Sequence, residues 1–283
     1  MPISTDTKRT SAVVAAVREL YEKAFPGEST EVIERLFADA EAMFCGRYYD
    51  YQAIDLVYHD FEHTLQATLC YANIFVGRHL ARATPELPRR YFELGLAAAL
   101  LHDTGYLKLR SDRDGTCAKF TKVHVLRSCA FAASYLPTLG FTFREIEIVT
   151  GAIRCTGPSP KIAQLYFVSP MDKLVGCMLV TGDFLGQMAA ADYPDELEAL
   201  YREFEETDNY YHVPPAEREF RSAAELIAKT PGFWSAFVRP RLEHEFEGVY
   251  RFLASPYPDG PNPYLDAIER NIAIIRQRPA GRT

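Results

Sequence analysis

Residues 87–103 read as a nearly all-apolar helix, and a helix without a polar face belongs inside a core. An alanine- and leucine-rich run of this kind has to be covered on every side by other elements. The run closes on Leu101-His102-Asp103-Thr104-Gly105, where the glycine stops it. An imidazole and a carboxylate are thereby carried into a region that should be buried. An unpaired carboxylate there costs several kcal/mol. Residues 170–190 pose the same problem, because Thr181-Gly182-Asp183-Phe184-Leu185-Gly186 places Asp183 inside a second mostly apolar helix.

The rest of the chain follows the same period, and the expected fold class is all-α. Residues 9–23 set Val13, Val14, Val17, Leu20 and Tyr21 on one side of a helix. Pro26-Gly27 breaks it, and Ser29 or Thr30 can cap a second helix to about Phe44. A third helix is expected to contain Tyr58-His59-Asp60-Phe61-Glu62-His63 and to run to His79, followed by a loop over 84–88. Residues 111–117 form a polar turn, and a helix over 120–139 ends at Gly140. Thr142 and Glu145 make a capping box for the next helix. A loop over 157–160 and one short strand candidate over 164–168 come before the helix of Asp183. Beyond Asp192 come an acidic amphipathic helix over 196–208, a linker over 209–215 and a helix over 233–253 that Pro240 would kink. A proline-rich stretch over 255–263 leads to a last helix over 264–277, with Leu265, Ile268, Ile272 and Ile275 on its apolar side.

Composition narrows the function. With 283 residues, 48% hydrophobic and 24% charged, the chain can bury a large core and reads as an ordinary soluble protein. A net charge of −7 argues against a long nucleic-acid groove, which needs a basic face. A small phosphate ligand stays open, since bound metal ions supply positive charge locally. Six cysteines without a Cys-x-x-Cys spacing imply reduced thiols. No basic-then-apolar leader is present, and the apolar runs fall short of a membrane span, so a cytoplasmic protein without membrane partners is expected.

Neutral imidazoles and carboxylates are the ligands that a hard or borderline divalent metal takes. Neighbouring side chains on a helix diverge by about 100°, but at a helix end His102 and Asp103 can both reach one ion. The order His … His-Asp … Asp resembles the HD superfamily of metal-dependent phosphohydrolases, over residues 58–188. The first cluster is similar to the Tyr-His-Asn-x-x-His element of cyclic-nucleotide phosphodiesterases, with Asp60 where Asn is usual.

The resemblance implies an HD-domain helical bundle as catalytic core over 58–192, with an N-terminal helical extension over 1–57 and a C-terminal one over 193–283. The extensions would close the bundle or form a homo-oligomer interface. It implies His63, His102, Asp103 and Asp183 as ligands of one or two divalent ions (Zn, Mn or Fe, with Mg at a second site). His124 is a further candidate ligand for the second ion. His59 would donate a proton to the leaving oxygen, tuned by Asp60 or Glu62, the latter otherwise a solvated carboxylate. The implied substrate is a phosphate ester, foremost a nucleotide phosphodiester, with Lys119, Arg127 and Gln187 as candidate phosphate contacts. Asp172 competes with Asp183 on the same helix, and Gly-Asp-Phe-Leu-Gly, similar to the family's Ala-Asp-Leu element, favours Asp183. His79, His212 and His244 read as core or surface histidines.

Two departures matter. Tyr106 stands where the family often has lysine, and residues 153–156 lack a histidine pair, which argues against the cyclic-di-GMP-degrading branch. An HD-type di-iron oxygenase and a non-catalytic metal-stabilised module are the alternative readings.

Overall fold

The interior is built on three helices that are buried nearly all round, α3 (Phe61–Leu80), α4 (Arg89–Leu101) and α7 (Pro170–Met188). They come from a computed structural model that describes residues 5–157 and 162–278. The fold is all-helical, and among the described residues the only β pairing is two isolated bridges, Cys45 with Ala53 and Tyr51 with Leu109. No single helix is long and apolar enough to cross a membrane.

The remaining helices wrap this centre. α1 (Thr10–Ala24) and α2 (Glu31–Phe44) bury Val17, Tyr21, Phe37 and Met43 against it. α5 (His124–Tyr135) and α6 (Phe143–Ile153) cover the far side of α4 and α7, and the Thr142–Glu145 capping box opens α6 as the spacing predicts. α8 (Tyr193–Tyr210), α9 (Ala223–Gly232), α10 (Arg239–His244) and α11 (Pro263–Gln277) close the remaining face.

Several sequence boundaries shift. α3 begins at Phe61 because Asp60 caps it, its side chain accepting the His63 N–H at 3.0 Å. His59 therefore lies before the helix and not within it. The helix expected over 120–139 is shortened at both ends by 3₁₀ turns, Cys117–Phe120 and Leu136–Leu139. No strand forms over 164–168, where the chain makes a 3₁₀ turn at Ile162–Gln164 with no neighbouring strand to pair with. The loop over 157–160 lies outside the described residues beyond Gly157. The single helix expected over 233–253 is instead a continuation of α9 through a π-helical segment, Phe233–Val238, into α10. Gly248, at φ 65°, ends that run and starts the 3₁₀ turn Val249–Leu253. The helix α9 was hidden in the sequence by Pro231, which sits inside it.

The close approach of α3 and α7 sets the geometry of everything above it. A Cβ at Gly182 would lie 2.9 Å from the Ala67 carbonyl oxygen, and one at Gly186 would lie 2.6 Å from that of Gln66. Two glycines one turn apart thus let the backbones touch, with Asp183 between them and aimed along α3 towards His63. Gly186→Ala forces α7 outwards and should destabilise the chain by about 1–3 kcal/mol, the usual cost of overpacking. It should also weaken divalent-ion binding through Asp183. Gly232→Ala, in helical backbone with open space around it, should leave ion binding unchanged and stabilise the chain by about 0.5–1 kcal/mol by restricting the unfolded state. Denaturant unfolding with and without added metal measures both effects.

Candidate metal centre

Two helix ends and the middle of a third helix meet at one point. His63 sits in the first turn of α3, His102 caps the C-terminus of α4, and Asp103 leaves that helix at φ −106°, ψ 5°. The break in the helix lets the adjacent imidazole and carboxylate turn to a common centre, His102 Nε2 lying 3.4 Å from Asp103 Oδ2. Asp183 arrives from α7. His63 Nε2 lies 3.3 Å from Asp103 Oδ2, 3.2 Å from Asp183 Oδ1 and 3.4 Å from His102 Nε2, and His102 Nε2 lies 3.6 Å from Asp183 Oδ1. Donors about 2.0–2.1 Å from one tetrahedral ion stand about 3.3–3.4 Å apart. His63, His102 and Asp103 already hold that spacing, and Asp183 lies at about that distance from both imidazoles without joining the group of donors that all fall within 4.8 Å of one another.

Protonation favours the same reading. His102 Nδ1 lies 2.7 Å from the Ala99 carbonyl, which only accepts, so this nitrogen carries the hydrogen and Nε2 presents its lone pair to the centre. His63, His102 and Asp103 are buried, and together have the composition and spacing to hold a metal ion. His63 Nδ1 and Asp103 Oδ2 are buried without a hydrogen-bond partner. Two carboxylates with two neutral imidazoles leave a charge of −2, which suits a divalent cation.

Burial opposes every charge here, yet the groups hold one another ionised. It would lower His63, but Asp103 and Asp183 raise it to about 10. They raise His102 against burial as well, and the facing histidines keep both carboxyls well below the usual carboxylate range. The negative charge of the pair is balanced either by protons on the imidazoles or by a divalent ion.

A second candidate ligand stands alongside. His124 is the first residue of α5, its Nδ1 lies 2.7 Å from the Thr121 carbonyl and its Nε2 3.8 Å from Asp103 Oδ1. Burial pushes its pKa down, so the ring is neutral and its Nε2 lone pair is free to coordinate. Tyr106 stacks on His124 at 4.5 Å and on His59 at 5.1 Å. Its buried hydroxyl has no partner.

The other predicted site residues divide sharply. His59 lines the same cavity as the four donors, with ring centroids 5.6 Å from His63. Gln187 lines it too, donating to the Asp183 carbonyl at 3.1 Å and accepting from the Tyr58 hydroxyl. Lys119 and Arg127 do not line it. Lys119 pairs with Asp112 at 2.6 Å and donates to the Asp114 carbonyl at 2.6 Å, tying down the polar turn. Arg127 donates to the carbonyls of Gly105 at 2.6 Å and Leu107 at 2.8 Å and stacks on Phe120. Both cations are consumed in holding backbone, so neither is placed to meet a phosphate. Asp172 sits at the far end of α7 as half of a capping box with Ser169, paired with Arg144. His79 packs against Phe25 with ring centroids 4.8 Å apart and planes tilted by 57°.

The sequence reading missed Glu203. From α8 its Oε2 lies 2.6 Å from His59 Nδ1, and its Oε1 accepts the N–H groups of Val57 at 3.1 Å and Tyr58 at 2.7 Å. This buried carboxylate, 144 residues from His59, takes the position expected of Asp60 or Glu62. Asp60 is occupied as a helix cap, and Glu62 accepts from Thr7 at 2.8 Å. A signal was present: Glu203 shares a helix face with Leu200 and Thr207, where an acidic residue needs a partner.

No family model matches this sequence, and no curated protein matches it.

His102→Ala, Asp103→Ala and Asp183→Ala should each weaken divalent-ion binding by more than the roughly 10–100-fold typical of losing an outer partner. Asp172→Ala should keep the ion. His124→Ala should affect only a second, weaker ion. Calorimetric titration with Zn²⁺ and Mn²⁺, with elemental analysis of each variant, tests the set.

Proposed function

We propose that this protein is an HD-superfamily, divalent-metal-dependent phosphohydrolase whose substrate is a phosphodiester, foremost that of a nucleotide. The observation that carries the reading is the meeting, in one cavity of about 640 Å³, of four metal-type donors with an imidazole held by a buried carboxylate. A purely structural metal site has no use for the second feature, nor for an open cavity above it. The absence of a histidine pair over 153–156, where Thr156 lines the cavity instead, counts against a di-iron oxygenase.

His63, His102, Asp103 and Asp183 would hold the ion, and His124 would assist at a second position beside Asp103. A divalent ion at this place lowers the pKa of water and neutralises phosphoryl oxygens. The chain's own work is then proton transfer and positioning. His59 has its Nδ1 committed to Glu203, which leaves Nε2 to give a proton to the leaving ester oxygen. Glu203 stabilises the charged imidazole and, through the Val57 and Tyr58 amides, fixes the segment that carries it. Tyr106 sets the plane of the ring by stacking. Burial raises its phenol well above 10, so it remains a neutral hydrogen-bond donor in the wall.

His59→Ala should keep metal and fold and lose about 10²–10⁴-fold in turnover on an alkyl ester. The loss should shrink on a nitrophenyl ester, whose leaving group departs without protonation. Glu203→Gln retains an oxygen for the two amides and should show the same leaving-group dependence with a smaller loss. An empty metal site in His59→Ala, or full activity on the alkyl ester, would sink the assigned role. Turnover should also persist without oxygen; activity that stops anaerobically and returns with air points to the oxygenase.

A further inference from the structure

Beyond the metal cluster, the cavity is poor in positive charge and rich in aromatic rings. Among the described residues its lining holds two cationic side chains outside the histidines, Lys122 and Lys229, and no arginine. Neither lysine is free. Lys229 pairs with Glu225 at 2.8 Å and lies over the Phe220 ring, and Lys122 lies 3.9 Å from Asp208 and over the Tyr211 ring. Asp208 and Glu219 also line the wall, so the lysines bring no net positive charge. The two other cations expected to contact phosphate, Lys119 and Arg127, are engaged by Asp112 and by loop carbonyls outside the cavity.

The aromatic side begins immediately beside the metal donors. Phe184 follows Asp183 on α7, and its ring centroid lies 6.1 Å from that of Phe233 and 6.4 Å from that of Phe237. Phe233 and Phe237 stack on each other at 5.0 Å with their planes 19° apart. They belong to the π-helical segment, a rare geometry that recurs at functional sites and brings residues four apart more nearly over each other. Both rings stay about two-fifths exposed, at 41% and 38%, although they line a concave wall with Met188, Leu197 and Leu200.

Resting on the phosphohydrolase reading, we propose that the substrate is a phosphodiester of single negative charge whose ester group carries a flat, apolar ring seated on Phe184, Phe233 and Phe237. A divalent ion held by the metal donors would satisfy one phosphoryl group. A polyphosphate tail would bring further negative charges into a wall that already carries Asp208 and Glu219 and offers no unpaired cation, so the site discriminates against it by leaving charge uncompensated. The ring itself contributes through stacking and apolar contact. The same chemistry is offered by a nucleobase and by a simple aryl group.

Metal-loaded protein should be assayed on bis(nitrophenyl) phosphate and methyl nitrophenyl phosphate, which share charge and leaving group, each kcat/KM being divided by the rate of the uncatalysed reaction to remove the second leaving group and the electron withdrawal of the extra ring. The diaryl ester is expected to show a corrected kcat/KM about tenfold higher, corresponding to about 1.4 kcal/mol of ring contact. In Phe233→Ala/Phe237→Ala, with metal content and helicity retained, the ratio should fall towards one. Phe237→Leu alone should lower it partially. As inhibitors of the same reaction in excess Mg²⁺, adenosine triphosphate should bind no more tightly than adenosine methyl phosphate. Comparing adenosine methyl phosphate with phenyl methyl phosphate then separates a nucleobase from any aryl ring. Equal corrected kcat/KM for the two nitrophenyl diesters, or a ratio untouched by the double variant, overturns the proposal while leaving the hydrolase reading intact. Tighter inhibition by the triphosphate overturns it as well. Calorimetric binding of diphenyl phosphate in preference to dimethyl phosphate, lost in the double variant and accompanied by no hydrolysis of either nitrophenyl diester, supports the ring subsite and refutes the hydrolase reading instead.

Discussion

Two carboxylates, Asp103 and Asp183, are buried with an oxygen within 3.6 Å of the same two imidazoles, and the arrangement of the core follows from keeping them compensated. Each would be expensive alone in an apolar interior. Together with His63 and His102 they make a cluster that protons on the imidazoles or a divalent ion would balance, and it draws its side chains from three helices that have to pack closely. That requirement explains the tight contact of α3 and α7 at Gly182 and Gly186. It also explains why α4 ends where it does, since an unbroken helix would send His102 and Asp103 in different directions.

Around this cluster the protein spends its remaining polar groups on holding loops. Arg127 and Lys119 pin the segments between α4 and α5, so that Tyr106 and His124 stand in a fixed stack with His59. Glu203 does the same for the strandless segment ahead of α3. The C-terminal helices are thus more than a cover. α8 supplies the carboxylate that orients His59, and the π-helical segment after α9 supplies the aromatic wall. A boundary drawn at residue 192 from the change in composition separates stretches of sequence that build one cavity.

Much of this was legible in the amino acids. The helical class followed from period and from the apolar run over 87–103, and the preference for Asp183 over Asp172 followed from the likeness of Gly-Asp-Phe-Leu-Gly to the HD family's Ala-Asp-Leu element. His102, Asp103 and Asp183 stood out because ionisable residues inside apolar runs need a compensating partner, and His63 was added by the resemblance to the HD superfamily. Other expectations meet competing partners. Lys119 and Arg127, candidates for phosphate contact, are engaged by Asp112 and by loop carbonyls, and Asp60, a candidate tuner of His59, caps α3.

Local pattern determines which face of a helix is apolar, where it can be capped and which residues cannot sit in the core unpaired. It carries no record of which distant element a buried group meets. Glu203 reaches His59 across 144 residues, and Phe233 and Phe237 reach the cavity only because a π-helical segment joins α9 to α10. The sequence by itself determined the helical architecture and the chemistry of the metal-type donors. The tertiary structure decided the partner of His59, the true work of the two cations and the aromatic, charge-poor wall, because those depend on how helices far apart in the chain pack together.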